Sequence, residues 1–244
     1  MSVPALRGAA IAFLLVVWQI FVPDGSYLAP PSKVFTTGLG YLAHADTLDG
    51  LGVTTVRFLA AFAITAVLGV AIGLVLGRSG HLMPPARDVF SVLYTLPLVP
   101  FYPLFVLWFG LGFRSEVVFG AVHGVVPVVL GTMAAASRVD GTLVTAARAM
   151  GAGRRRALTM VVLPAIVPEV VGALRVGAAL CLLGVLLAEL MVSVDGVGHL
   201  IAGLIANLRG AEADAVILAV CVGAVVVNLL LAAVERRVSP PAAI

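Results

Sequence analysis

The sequence predicts an all-α, polytopic membrane protein with six transmembrane helices and a helix-turn-helix loop on its cytoplasmic side. Three observations carry that prediction. Of 244 residues, 61% are hydrophobic and only 11% charged, and the mean hydropathy is +1.16; a chain of this size folding in water needs far more charge on its surface. Apolar runs approaching the roughly 20 helical residues that cross a bilayer recur six times, and the basic residues gather in alternate connections between them.

The runs lie at 5–22, 53–76, 89–109, 117–136, 166–191 and 213–234. The first, in "MSVPALRGAAIAFLLVVWQIFVPDG", sets Arg7 ahead of an apolar stretch as a signal peptide does. No small-x-small cleavage pattern follows it, and we read a retained span. Residues 27–52 are too polar to cross and read as an extended turn and a short helix on the outer surface. In the second run Gly69, Gly73 and Gly77 repeat every four residues on one helical face, a spacing that brings two backbones close, either within one bundle or between subunits.

The third run contains "YTLPLVPFYPLFVLWFG". Pro97, Pro100 and Pro103 each remove a backbone donor and crowd the preceding turn. Irregular backbone at membrane depth is tolerated where it is buried in protein or lines a wet cavity. Tyr94, Pro97, Pro100, Phe101 and Tyr102 are therefore candidates for a wall or gate of a translocation path; the alternative is a passively kinked helix whose aromatic residues pack in the core.

With the amino terminus inside, the inner segments hold Arg7, Arg78, Arg87, Arg138, Arg148, Arg154, Arg155, Arg156, Arg236 and Arg237, and the outer segments hold Lys33, Arg114 and Arg209. Ten basic residues against three place both termini in the cytoplasm. The outer connections collect Asp24, Asp46, Asp49, Glu116, Asp195, Glu212 and Asp214. Arg57 and Arg175, near the starts of the second and fifth runs, read as snorkelling to an interface. Cys181 and Cys221 sit in apolar runs and read as small hydrophobes, not as a disulfide or as metal ligands.

Glu189 stands in the outer third of the fifth run, where an ionisable group is a functional candidate by default. Glu189 is either a pathway contact or the structural partner of a backbone group or an arginine. His123, beside Gly124, is either a proton relay or a helix-contact residue. No constellation of His, Asp, Cys or Ser at catalytic spacing appears, which leaves no basis for an enzyme, and no metal site is read. The chain also lacks the G-x-x-x-x-G-K-[ST] phosphate loop, Lys33 being its only lysine, so it cannot cradle ATP by that device. A secondary transporter driven by an ion gradient is the alternative reading, and it needs inverted repeats and paired intramembrane acids or histidines.

Between the fourth and fifth runs stands "TAARAMGAGRRRALTMVVLP", residues 145–164. At roughly 2.5 to 3.5 kcal/mol per charge near a bilayer centre, Arg154, Arg155 and Arg156 must lie in water or at the headgroups. Residues 137–163 then form a cytoplasmic loop of helical character. Asp140 is its N-cap, Leu143, Ala147 and Met150 share its apolar face, and Gly151 and Gly153 permit a reversal or a C-cap. A second helix carries Leu158 and Val161 up to Pro164. Such a hairpin either docks on a partner or rests on anionic lipid.

This segment resembles the "EAA" loop of binding-protein-dependent ABC importer permeases, whose pattern is E-A-A, three residues, G, nine residues, I-x-L-P. Thr145-Ala146-Ala147, Gly151 and Val161-x-Leu163-Pro164 keep every spacing, with Thr145 in place of the glutamate and Val161 in place of the isoleucine. The fragments "APPSKV", "TTVRFLAAF", "PLFVLWFGLG", "LPAIVPEVVGALRVG", "LAEL" and "DGVGHLI" are similar, in that order, to the nitrate/sulfonate/taurine-type permeases and span nearly the whole chain.

The resemblance implies a type I ABC importer permease fold, with residues 1–244 as one transmembrane permease domain and the coupling loop at about 137–165. It implies two such subunits, most simply a homodimer, forming one pathway in the bacterial inner membrane. A separate ATPase that holds ATP and Mg would sit under each loop, an extracytoplasmic binding protein would deliver the solute, and no nucleic acid would be involved. Thr145, Ala146, Ala147, Met150, Gly151, Arg154, Arg155, Leu163 and Pro164 are the expected coupling residues, and Glu189 matches the family's "AE" position. The implied solute is a sulfonate, taurine, nitrate or similar anion, although the same branch resembles permeases for pyrimidine precursors of thiamine.

Overall fold

Apolar runs in lipid have no water to bond their backbone, so each N–H and C=O must be satisfied within its own segment; helices do this, and helices are what forms. The computed structural model describes residues 3–22 and 29–238. Asp24 and Tyr27 lie outside the described residues. In order come α1 (Val3–Phe21), α2 (Pro31–Lys33), α3 (Leu39–Leu42), α4 (Ala45–Gly77), α5 (Met83–Thr95), α6 (Tyr102–Phe109), α7 (Phe113–Arg138), α8 (Gly141–Ala149), α9 (Arg154–Ala157), α10 (Leu163–Val192), α11 (Val197–Ala206) and α12 (Gly210–Val238). Wider π-type turns, Val34–Gly38 and Leu158–Val162, join α2 to α3 and α9 to α10.

Among the described residues four helical stretches are long and apolar enough to cross a membrane: α4, α7, Arg155–Val192 and α12. The α5/α6 pair makes a fifth if counted as one broken span, and α1 contributes the shorter apolar helix Ala12–Phe21. The third run at 89–109 is thus two helices that meet at 81°. Leu96 adopts extended backbone at the end of α5, as the residue before a proline prefers, and a single 3-10 turn, Val99–Phe101, leads into α6. Other expectations also shift. α4 starts at Ala45, inside the stretch read as an outer turn, and Pro164 does not end a helix, because α10 runs on from the turn before it. The ten-residue α11, too short to cross, has no counterpart among the predicted runs.

The chain separates into two units, Met1–Thr55 with Glu189–Gly223, and Val56–Ala188 with Ala224–Ile244. In the second unit α7 is the core helix. On one side it takes the Gly69, Gly73 and Gly77 face of α4: a Cβ at Gly73 would stand 2.7 Å from the Val129 carbonyl oxygen, and one at Gly77 would stand 2.5 Å from that of Met133. The four-residue spacing therefore serves packing within one bundle. On the other side α7 meets α10, where Phe58, Ala61, Val117, Ala121, Ala178, Cys181 and Val185 form a buried cluster.

Two of the ion pairs in this unit replace expectations. Arg57 does not snorkel: it is buried, and its guanidinium pairs with Glu116, also buried and not in a water-facing connection. The mutual charge offsets a desolvation that neither group would tolerate alone. Arg175, half-buried, pairs with Glu235 at 2.6 Å and donates to Asn228 at 3.0 Å. Cys181 and Cys221 are free, the first buried and the second exposed.

In the first unit Ala29, Val34 and Ala215 form a small core with Trp18 and Ala211 against it. The Ala29 N–H donates to the Asp214 carboxylate at 2.9 Å.

Candidate functional site

The loop at 137–163 is built from its caps inward. The Asp140 carboxylate accepts from the Thr142 N–H at 2.8 Å and so satisfies one of the orphan donors of α8. A hydrogen bond from the Thr142 side chain, and after it this backbone bond, hold the Asp140 carboxyl below the usual carboxylate range. At the other end Gly151 has φ +87°, the left-handed conformation that L side chains resist. Its N–H donates to the Arg148 carbonyl at 2.9 Å, and the Ala152 N–H donates to the Ala147 carbonyl at 3.0 Å. These two bonds are the Schellman pair that closes a helix and turns the chain back.

The buried face of α8 is Val144 and Ala147, packed with Ala135, Ala157, Val162, Ile166 and Val170. Leu143 and Met150, expected beside Ala147, are 55% and 82% exposed. The Val144 and Ala147 face of the hairpin is therefore covered by the chain's own helices, while Leu143 and Met150 stay exposed. Outward stand Thr145, Ala146, Arg148, Met150, Gly151, Arg155 and Arg156. Arg154 opens α9; Leu163 is half-buried and Pro164 exposed where α10 begins. The Thr145 hydroxyl donates to the Gly141 carbonyl at 2.9 Å, within its own helix.

The pathway candidates divide. Pro97 and Pro100 occupy the break between α5 and α6, and Phe101 is exposed there. Tyr102 is fully buried, its ring 4.9 Å from that of Phe119, which makes it a core residue. Tyr94 lines a cavity of about 340 Å³ beside the break, and so does His123. In the other unit Glu189 is buried and caps α11: its carboxylate accepts from the Gly198 N–H at 2.9 Å and from the Thr54 hydroxyl at 2.8 Å, while that hydroxyl accepts from the Val197 N–H at 2.8 Å. The backbone-partner alternative for Glu189 is the one the geometry displays. The sequence signal for it was the glycine-flanked start of α11, where four amides need acceptors.

Sequence reasoning left His123 between a proton relay and a helix-contact residue. Its ring packs beside Gly184, as a helix-contact residue does, and it also reaches the cavity. Among the described residues no group of three or more His, Cys, Asp or Glu could hold a metal ion.

Packed apolar spans, a capped arginine-rich hairpin between two of them and a proline-broken helix beside a cavity define a transport permease. Residues 66–240 match the family of binding-protein-dependent transport system inner membrane components, and the chain belongs to that family. It is similar to the taurine transport system permease protein of Escherichia coli (strain K12), at 26% identity over 94% of this chain and 87% of that protein. A relative in Bacillus subtilis (strain 168), named for aliphatic sulfonates transport, is 28% identical over 78% and 70% of the two chains. The nitrate import permease protein of Synechocystis sp. (strain ATCC 27184 / PCC 6803 / Kazusa) is 27% identical over 79% and 74%. The chain is thus a multi-pass membrane subunit of an ABC importer, the translocating part and not the ATPase.

Proposed function

We propose that this subunit, paired with a second copy of itself, forms the path for a small anion of the sulfonate, taurine or nitrate kind across the bacterial cytoplasmic membrane. In this reading α1 and the broken α5/α6 pair complete six spans, and both termini are cytoplasmic. An extracytoplasmic protein delivers the solute. The chain performs no catalysis: ATP and Mg are held by separate ATPase subunits, each engaging one loop at 137–163. The names of the three relatives support the solute class.

One observation carries the coupling. The loop is a compact knob, closed by the Schellman turn at Gly151 and seated on its own helices, with Met150 at its tip 82% exposed. An exposed apolar tip on a loop that also exposes Arg148, Arg155 and Arg156 suits a pocket with an acidic rim on a partner. Closure of two ATPases would then move two knobs, and a knob that keeps its shape transmits that movement without absorbing it.

Gly151→Arg tests this. A β-carbon in the left-handed region costs about 1 to 2 kcal/mol, enough to disturb the turn while leaving the spans inserted. ATP-driven uptake of taurine or nitrate in proteoliposomes holding the complete transporter should fall to background, with normal amounts of subunit in the membrane. Full uptake by that variant removes the docking reading.

A further inference from the structure

The cavity beside the proline break has two polar side chains, Tyr94 and His123, among aliphatic walls that include Leu96, Leu98, Val122 and Leu180. Among the described residues no arginine or lysine lines it. His123 Nδ1 lies 2.9 Å from the Phe119 carbonyl oxygen. A carbonyl only accepts, so Nδ1 carries the hydrogen. In the neutral imidazole that leaves Nε2 as a bare acceptor, and no described residue donates to it. The Tyr94 side chain is half exposed, and no described residue bonds its hydroxyl, which donates readily. The cavity is therefore lined by one hydroxyl, which both donates and accepts, and one imidazole with a bare acceptor, in an otherwise apolar space of about 340 Å³, the size and chemistry of a small-solute site.

We propose that this cavity is a solute subsite on the path, and that Tyr94 and His123 set its selectivity. Resting on the small-anion reading above, it names the kind of anion: one that accepts from the Tyr94 hydroxyl and donates to His123 Nε2. An amino- or hydroxy-bearing sulfonate such as taurine does both. Nitrate, which has acceptors only, satisfies Tyr94 and leaves the His123 lone pair facing a like partial charge. A site that hydrogen-bonds a solute N–H or O–H discriminates strongly against analogues lacking it, because its own polar group is then left unpaired. The absence of a fixed cation keeps the anion weakly held, as a step on a path requires.

The test uses Leu96→Cys in a Cys221→Ala background, which removes the one exposed thiol and leaves both polar groups intact. The probe is 2-sulfonatoethyl methanethiosulfonate, a taurine-sized reagent, applied to the complete transporter in proteoliposomes. The thiol introduced by Leu96→Cys should label, and excess taurine should slow labelling about tenfold while equal nitrate does not. Adding His123→Leu or Tyr94→Phe should abolish the protection, and His123→Gln, whose amide oxygen restores an acceptor, should recover it.

No labelling of the introduced thiol, no protection by taurine, equal protection by nitrate, or protection that survives His123→Leu overturns the subsite. ATP-driven taurine uptake by the same vesicles separates the two readings. Uptake without protection sinks the subsite alone, whereas failure to carry taurine, aliphatic sulfonates or nitrate sinks the functional reading and the subsite with it.

Discussion

Two regions of the second unit use glycine for opposite reasons. Along the seam between α4 and α7 the glycines have ordinary helical backbone and no room: a Cβ at Gly69, Gly73 or Gly77 would meet Val128, Val129 or Met133 within 3 Å. At the tip of the loop Gly151 has nothing within 4 Å of an added Cβ and a φ of +87°. The seam is limited by space, the loop by conformation. Close packing between helices is what holds a bundle together in lipid, where burial of apolar surface gives no drive, whereas a knob that transmits force needs a fixed shape at a watery surface.

The comparison breaks most severely at the seam's charged end. Arg57 on α4 and Glu116 on α7 are both buried, and they depend on one another. Glu116→Ala leaves the guanidinium without its carboxylate, a loss of about 3 to 5 kcal/mol for breaking a buried pair. The variant should be recovered from membranes at a small fraction of wild-type yield, and its thermal unfolding in detergent should fall by many degrees. Unchanged yield and unfolding would mean that water reaches Arg57.

Gly73→Val follows. The added side chain meets the Val129 carbonyl oxygen, which is backbone and cannot swing aside, so the helices must part, at roughly 1 to 3 kcal/mol for an overpacked interior. Unfolding should shift down by less than in Glu116→Ala, and uptake should fall with it. At Gly151 the two limits can be told apart by choice of residue: Asn tolerates the left-handed region and should keep uptake where Arg loses it, while Gly73→Asn should do no better than Gly73→Val.

The contrast also explains what could be read from the chain. Six apolar runs and an arginine bias are periodic, local signals, and the four helices long enough to cross overlie the second, fourth, fifth and sixth runs, although the helices over the second and fifth runs begin well before them, at Ala45 and Arg155. The loop was legible for the same reason, since caps and turns are written in neighbouring residues: Asp140 caps and Gly151 turns, as their types require. What was not legible depends on partners distant in sequence. Nothing local says that Arg57 meets Glu116, 59 residues on, or that Glu189 caps a helix that begins eight residues later. Which apolar residues of α8 pack inward, Val144 with Ala147, was not legible, because both faces of that short helix carry apolar residues and only the surrounding helices choose between them. That His123 lines a cavity was not legible either, because no spacing announces a cavity.

The smallest effect belongs to the loop's other end. Asp140→Ala removes the acceptor for the Thr142 N–H and should loosen only the first turn of α8, leaving the Schellman turn and the seat beneath it intact. Hydrogen exchange over 141–149 should quicken at Thr142 and Leu143 and hardly at all near Ala149, with uptake reduced modestly. The bonds from Thr142 depress the Asp140 pKa in the folded chain, so the cap is fully present above the ordinary carboxylate value, about 4, and is lost as pH falls through the lower folded value. The difference between wild type and Asp140→Ala should therefore be flat from pH 6 to 8 and close in acid. Asp140→Asn caps without titrating and should match wild type at neutral pH yet keep its protection in acid. If Asp140→Ala instead abolishes uptake as Gly151→Arg does, the knob is held from its amino-terminal end and the Schellman turn is not what gives it shape.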